Sequence, residues 1–149
     1  MKKRLALHEY LPQVYKLMKE IDGLVQEGVE PLYIEMIKIR TSQLNGCAYC
    51  LNMHITDAIK LGEDSQRLNV LSAWREALNW FSEEEQVILQ LTEEITLIGQ
   101  HGISDKVYDR AAELFGEEKL ARLIVTVVSI NSWTRIGVSL HFHPAKYSH

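Results

Sequence analysis

Apolar residues recur at intervals of three and four along almost the whole chain, and this periodicity constrains the fold more than any other feature. No segment sustains the alternation, enriched in β-branched residues, that a strand requires, so the chain reads as all-α. Only three prolines interrupt the pattern. The spacing predicts a first helix over about 9–27, with Leu11, Val14, Leu17, Met18, Ile21 and Val25 as its apolar stripe and Pro12 in its first turn, where a missing N–H costs little. A second helix is expected from Pro31 to Leu44, stopped by Asn45-Gly46, and a third from Cys47 to Leu61. Ser65 to Ala77 reads as a shorter helix. Ser82-Glu83-Glu84-Glu85 is a capping box opening a helix to about Gln100, and Ser104 caps another that ends at Phe115-Gly116. The last helix is expected from about Glu118 to Leu140, with residues 144–149 as a solvated tail.

The 149 residues fit one domain spanning 1–149, and 46% apolar with 24% charged residues suffices for a sizeable core. A formal charge of −4, with basic residues scattered apart from Lys2-Lys3-Arg4, gives no footprint for nucleic acid. An export signal would continue those charges with a longer apolar run than Leu5-Ala6-Leu7, so a cytoplasmic protein is expected, with no membrane partner. The longest apolar stretch, Leu123 to Ile130, is far too short to span a bilayer and is broken by Thr126 and Ser129. It surrounds most of its helix. That pattern calls for a central core position or for burial against a second subunit.

Both cysteines lie in Asn45-Gly46-Cys47-Ala48-Tyr49-Cys50-Leu51-Asn52-Met53-His54. In a reducing compartment a close pair is catalytic or metal-binding more often than a permanent staple. At the start of a helix, positions i, i+3 and i+7 share a face, which brings Cys47, Cys50 and His54 together. The positive end of the helix favours thiolate, and the C-x-x-C spacing lets one sulfur attack the other, as reversible disulfide chemistry requires. An imidazole titrates near neutrality, so His54 can take the thiol proton and return it to a leaving oxygen. Glu35, within the apolar run Leu32-Tyr33-Ile34-Glu35-Met36-Ile37, is the candidate to orient it.

Plainer readings stand beside these. Glu35 could simply pair with Lys38 or Arg40, and free cysteines can be small core hydrophobes. Cys47, Cys50 and His54 are also three zinc-type ligands, with Glu35 or a distant His as a fourth, but no second C-x-x-C or H-x-x-x-H supplies the paired segment usual in structural zinc sites. His141 and His143, spaced i, i+2, diverge on a helix; His8, His101 and the terminal His149 have no partner pattern.

The chain resembles the AhpD-like alkylhydroperoxidases of the carboxymuconolactone decarboxylase superfamily. Glu35, a C-x-x-C beginning twelve residues later and His54 four after Cys50 fit the core motif, here residues 35–54. Leu71-Ser72-Ala73-Trp74-Arg75-Glu76, Phe81-Ser82-Glu83-Glu84-Glu85 and Ile130-Asn131-Ser132-Trp133-Thr134-Arg135 look like stretches common in single-domain members, so the likeness runs from about residue 10 to 140. It implies an AhpD-like helical bundle assembling as dimers, trimers or hexamers. It also implies Cys50 as the peroxidatic sulfur, Cys47 as the resolving and more exposed one, and Glu35 and His54 as a water-bridged relay. Arg75, Trp133 and Arg135 could line a pocket or interface, but core edge or salt bridge is the more usual place for such side chains, so they stay outside the site. Tyr49 departs from the pattern, because the best-known family peroxidase carries a His before its second Cys, and a phenol supplies a proton less readily at neutral pH.

The expectation is therefore a thiol-dependent antioxidant peroxidase acting on a hydroperoxide and recharged by an external dithiol, such as a lipoyl protein or a thioredoxin-like one. No bound cofactor or metal is expected. The alternatives are a general thiol-disulfide oxidoreductase with negligible peroxidase activity, and a non-enzymatic module with structural zinc or a redox-sensing disulfide. Lactone decarboxylation is disfavoured, because that branch of the superfamily lacks the cysteine pair.

Overall fold

In the computed structural model the described residues are 4–144; Lys2, Lys3 and most of the expected tail, including His149, lie outside them. Those residues fold as one all-α bundle, with no strand among them. The helices are α1 (Leu7–Tyr10), α2 (Pro12–Gln26), α3 (Pro31–Asn45), α4 (Ala48–Lys60), α5 (Ser65–Val70), α6 (Glu83–Thr96), α7 (Ile98–His101) and α8 (Asp105–Ser139). No helix among the described residues is long and apolar enough to cross a membrane.

The first predicted helix divides, because proline disfavours the helical conformation of the residue before it and Leu11 sits at φ −133°, ψ 59°. Pro12 then opens α2. Pro31 likewise starts α3, and Gly46 ends it in the left-handed conformation (φ 66°) that a residue without a β-carbon adopts at no cost. Cys47 is the N-cap of α4, so the turn between α3 and α4 delivers the cysteine pair onto a helix start.

Between Ser65 and Ala77 the α-helix stops at Val70 and tightens into 3-10 turns over Leu71–Glu76 and Leu78–Trp80. Trp74 is fully buried there and donates to Glu93 (2.9 Å), a tertiary bond that outweighs local helical preference. The capping box at Ser82 and Glu85 forms as expected, but α6 ends at Thr96 and the short α7 follows a break at Leu97. Gly116, at φ 71°, divides α8 into helical arms over 105–115 and 117–139, matching the expected boundary.

The central helix is α3, packed against α4, α6 and α8. Its Ile34, Ile37 and Ile39 are at most 2% exposed, so it is apolar on several sides and weakly amphipathic. One core layer joins Ile37, Ile88, Leu91, Leu123 and Val127, and a second joins Met36, Ile39, Leu71, Trp74 and Leu89. By contrast, the predicted stripe of α2 is mostly outside. Leu11, Val14, Leu17 and Ile21 are exposed, while Met18 is half-buried and Val25 buried, and Tyr15 and Asp22 meet Trp133 and Ser129 of α8. Of the apolar run in α8, Leu123, Val127 and Ile130 are core and Val125 and Val128 point outwards.

Candidate active site

Four side chains singled out by spacing meet at the α3–α4 junction. Glu35 comes from the middle of α3, and Cys47, Cys50 and His54 follow one another along the first two turns of α4. All are buried, at 8%, 3%, 4% and 6% exposure respectively. Cys47 and Cys50 form a disulfide. The Cys47 sulfur also caps the helix, accepting the Cys50 backbone N–H at 3.3 Å.

His54 Nδ1 lies 2.8 Å from Glu35 Oε2, and Lys38 Nζ stands 3.6 Å from the other carboxylate oxygen. Carboxylate and imidazole therefore meet directly, without an intervening water. A carboxylate accepting from Nδ1–H leaves Nε2 as the imidazole's free lone pair. Both partners of the plain pairing were foreseen, but only one is used. Arg40 turns away from Glu35 and bonds Glu93 (2.8 Å) and Gln43 (3.0 Å).

A cavity of about 340 Å³ opens beside this group, and Cys50 and His54 form part of its wall. Tyr15, Met53, Ile130, Trp133 and Phe142 give it an apolar lining, and Lys19, Asp22 and Lys38 supply charge. Asp22 is itself engaged, accepting from Trp133 Nε1 at 2.8 Å and from the Ser129 hydroxyl. Tyr15 meets Trp133 edge-on (5.2 Å), and Tyr49 meets Phe142 in the same way (5.5 Å). These pairs clamp the rim.

The resemblance implied a more exposed Cys47, and the structure differs. The two cysteines are buried alike, and of the pair only Cys50 is part of the cavity wall. The reason is Gly137. A β-carbon at that position would stand 3.2 Å from the Cys47 sulfur and 3.5 Å from that of Cys50, so its absence lets α8 close over the disulfide.

Tyr15 and Gly137 were not legible as site residues, because α2 and α8 crossing α4 make their neighbourhood and no local spacing reports it. Trp133, named as able to line a pocket but left outside the site, does line the cavity, and Lys38, foreseen only as a partner of Glu35, lines it too. His141 and His143 lie beyond the end of α8 and outside the cavity wall. Among the described residues one acidic and histidine cluster, Glu35, His54 and Asp57, brings potential ligand atoms within 4.8 Å of one another. A cation there would have to disrupt the Glu35–His54 hydrogen bond beside the Lys38 ammonium, so the cluster is poorly suited to one.

The sequence profile of the carboxymuconolactone decarboxylase family matches residues 12–94, more than half of the chain and all four of these side chains. The chain belongs to the carboxymuconolactone decarboxylase family. It is similar to the uncharacterised protein YdfG of Bacillus subtilis (strain 168), with 39% identity over 141 residues, covering 94% of this chain and 95% of that one. Among solved structures, ATU0492 from Agrobacterium tumefaciens is a protein of unknown function proposed as the antioxidant defence protein AhpD. It is 29% identical and superposes with a TM-score of 0.93 over 98% of this chain and 100% of that chain. An uncharacterised peroxidase-related protein from Silicibacter sp. TM1040 shares the fold at 18% identity, with a TM-score of 0.77 over 93% of this chain and 81% of that one. The family profile ends in α6, so the α8 residues that cover the disulfide and line the cavity lie outside the matched span.

Proposed function

We propose that the protein is a thiol-dependent peroxidase with an antioxidant role, in which Glu35, Cys47, Cys50 and His54 carry the chemistry. The observation that carries this reading is the buried Glu35–His54 pair set one helical turn behind Cys50, the one sulfur of the disulfide that lines the cavity. In the dithiol form His54 takes the Cys50 proton, and the thiolate attacks the nearer oxygen of a hydroperoxide. The O–O bond breaks, the proton returns to the departing alkoxide, and Cys50 becomes a sulfenic acid. Cys47 then attacks that sulfur and expels water, giving the disulfide seen here. An external dithiol restores both thiols.

The relatives support the direction of this reading, since ATU0492 is linked to antioxidant defence and others of the same fold are described as peroxidase-related. Steady-state peroxide consumption by metal-free protein, with several dithiol reductants in parallel, is the test. Turnover lost in Cys50→Ser is the expected result. Disulfide exchange without peroxide consumption would instead make the protein a general thiol-disulfide oxidoreductase, and one tightly held zinc per chain in the untreated protein would replace the redox reading with a structural one.

Assembly belongs to the same proposal. The outward face of α2, with Leu11, Val14, Leu17, Ile21 and Leu24 all exposed, lies on a helix packed against α8, which exposes Val125 and Val128. So many exposed apolar side chains favour a homo-oligomer, and a strict monomer by sedimentation at micromolar concentration would overturn it.

A further inference from the structure

The geometry points to an external thiol opening the disulfide at Cys50, through the cavity, with Cys47 as the leaving thiolate. This rests on the proposal that the cysteine pair cycles with an external thiol, and not on the peroxide step. It reverses the order expected from the resemblance, in which Cys47 meets the reductant.

Access comes first. Thiol-disulfide exchange needs the incoming sulfur to reach one of the two disulfide sulfurs. Cys50 forms part of the cavity wall and Cys47 does not, while α8 covers both sulfurs through Gly137, whose missing β-carbon would stand 3.2 Å from the Cys47 sulfur and 3.5 Å from that of Cys50. An entering thiol therefore meets Cys50. Lys19 in the same wall favours an incoming thiolate, while Lys38 is paired with Glu35 and Asp22 accepts from Trp133 and Ser129.

The leaving group points the same way. Exchange is faster when the departing thiolate is the better stabilised one. Cys47 is the N-cap of a 13-residue helix and its sulfur already accepts the Cys50 backbone N–H, an arrangement that favours negative charge on that atom. Attack at Cys50 thus expels the sulfur that the helix is built to hold as an anion.

The step balances. A thiolate forms a bond to the Cys50 sulfur, the Cys47–Cys50 bond breaks, and Cys47 leaves with the electron pair and takes up a proton. The second thiol of a dithiol then attacks the reductant's own sulfur in the mixed disulfide, closing the oxidised reductant and releasing Cys50 as thiolate. Two electrons pass from the dithiol to the protein, and its two protons end on Cys47 and Cys50.

The experiment needs no peroxide. Oxidised wild-type protein is mixed with β-mercaptoethanol for increasing short times, quenched in acidic N-ethylmaleimide, and cut with chymotrypsin after Tyr49, which places the two cysteines on separate peptides for mass spectrometry. Extrapolated to zero time, mercaptoethanol should sit on Cys50 and maleimide on Cys47, in roughly tenfold excess or more over the reverse. An excess of the reverse pattern, or an even mixture, overturns the inference. Met53→Trp, which fills the cavity, should slow the opening in protein of unchanged helicity; an unchanged rate in that variant would also overturn entry through the cavity. Adduct on Cys50 in a protein that consumes no peroxide would sink the peroxidase reading and leave this one, whereas adduct on Cys47 with normal peroxide turnover would do the opposite.

Discussion

Two glutamates of this fold are buried to the same degree and held by different partners. Glu35 and Glu93 are each 8% exposed, on neighbouring helices α3 and α6. Glu93 is enclosed by donors, with Trp74 Nε1 at 2.9 Å, Arg40 Nε at 2.8 Å and Arg75 Nη1 at 2.6 Å. Burial pushes its carboxyl up, but the hydrogen bonds from Trp74 and Arg75 and the charge of Arg40 outweigh that and hold it below the ordinary carboxylate range. Glu35 has one short bond, to the His54 imidazole, and a longer contact to Lys38 beside a cavity. A carboxylate held by guanidinium groups is fixed in charge. In the proposed mechanism one held by histidine serves a proton path, and the identity of the partner, not the depth of burial, is what sets the two apart.

The sharpest way to break this contrast is to neutralise each carboxylate without changing its shape. Glu35→Gln should slow single-turnover oxidation of Cys50 by roughly 10²- to 10⁴-fold, the usual contribution of acid–base catalysis, and should cost less stability than Glu93→Gln, since its one ammonium partner, Lys38, stands 3.6 Å away. Glu93→Gln should leave that rate close to wild type. Dimedone trapping of the Cys50 sulfenic acid in a Cys47→Ser background reads both. Equal slowing by the two variants would show that Glu35 acts through packing alone.

Stability should reverse the order. Removing the Glu93 charge leaves the Arg40 guanidinium, whose side chain is 12% exposed, with the neutral Gln43 in place of an ion pair, and should cost about 3 kcal/mol in urea unfolding. The sign with pH follows from the lowered carboxyl. In the acid range the folded protein binds fewer protons at this site than the unfolded chain, so its contribution is complete above about pH 5 and is lost as pH falls through the depressed native value. Glu93→Gln should flatten that acid slope, and an unaltered slope would mean that Glu93 carries no such linkage.

Much of the Glu35 site was legible because each part of it is local. Pro31 opens its helix, Gly46 closes it, Cys47 caps the next, and His54 follows Cys50 at helical spacing. Glu93 was not legible, since its partners come from α3 and from a 3-10 segment that the periodicity reads as α-helix. The outer walls of the cavity were hidden for the same reason. Tyr15, Trp133 and Phe142 are far from the motif in sequence and are gathered by helix crossing. The α2 stripe shows the limit from the other side, because amphipathic spacing identifies an apolar face without saying whether this chain or another covers it.

The smallest expected effect tests how tightly α8 closes over the disulfide. Gly137→Ala adds a methyl group 3.2 Å from the Cys47 sulfur, closer than most packed β-carbons come, and α8 must shift to admit it. Overpacking of that kind should destabilise the oxidised protein by about 1–2 kcal/mol. Gly23→Ala is the matched control, because Gly23 lies within α2 with nothing within 4 Å of a β-carbon, and there alanine should stabilise by about 0.5–1 kcal/mol through helix propensity. Denaturant unfolding of the two oxidised variants should therefore move in opposite directions. If Gly137→Ala proves as harmless as Gly23→Ala, α8 has slack over the cysteine pair.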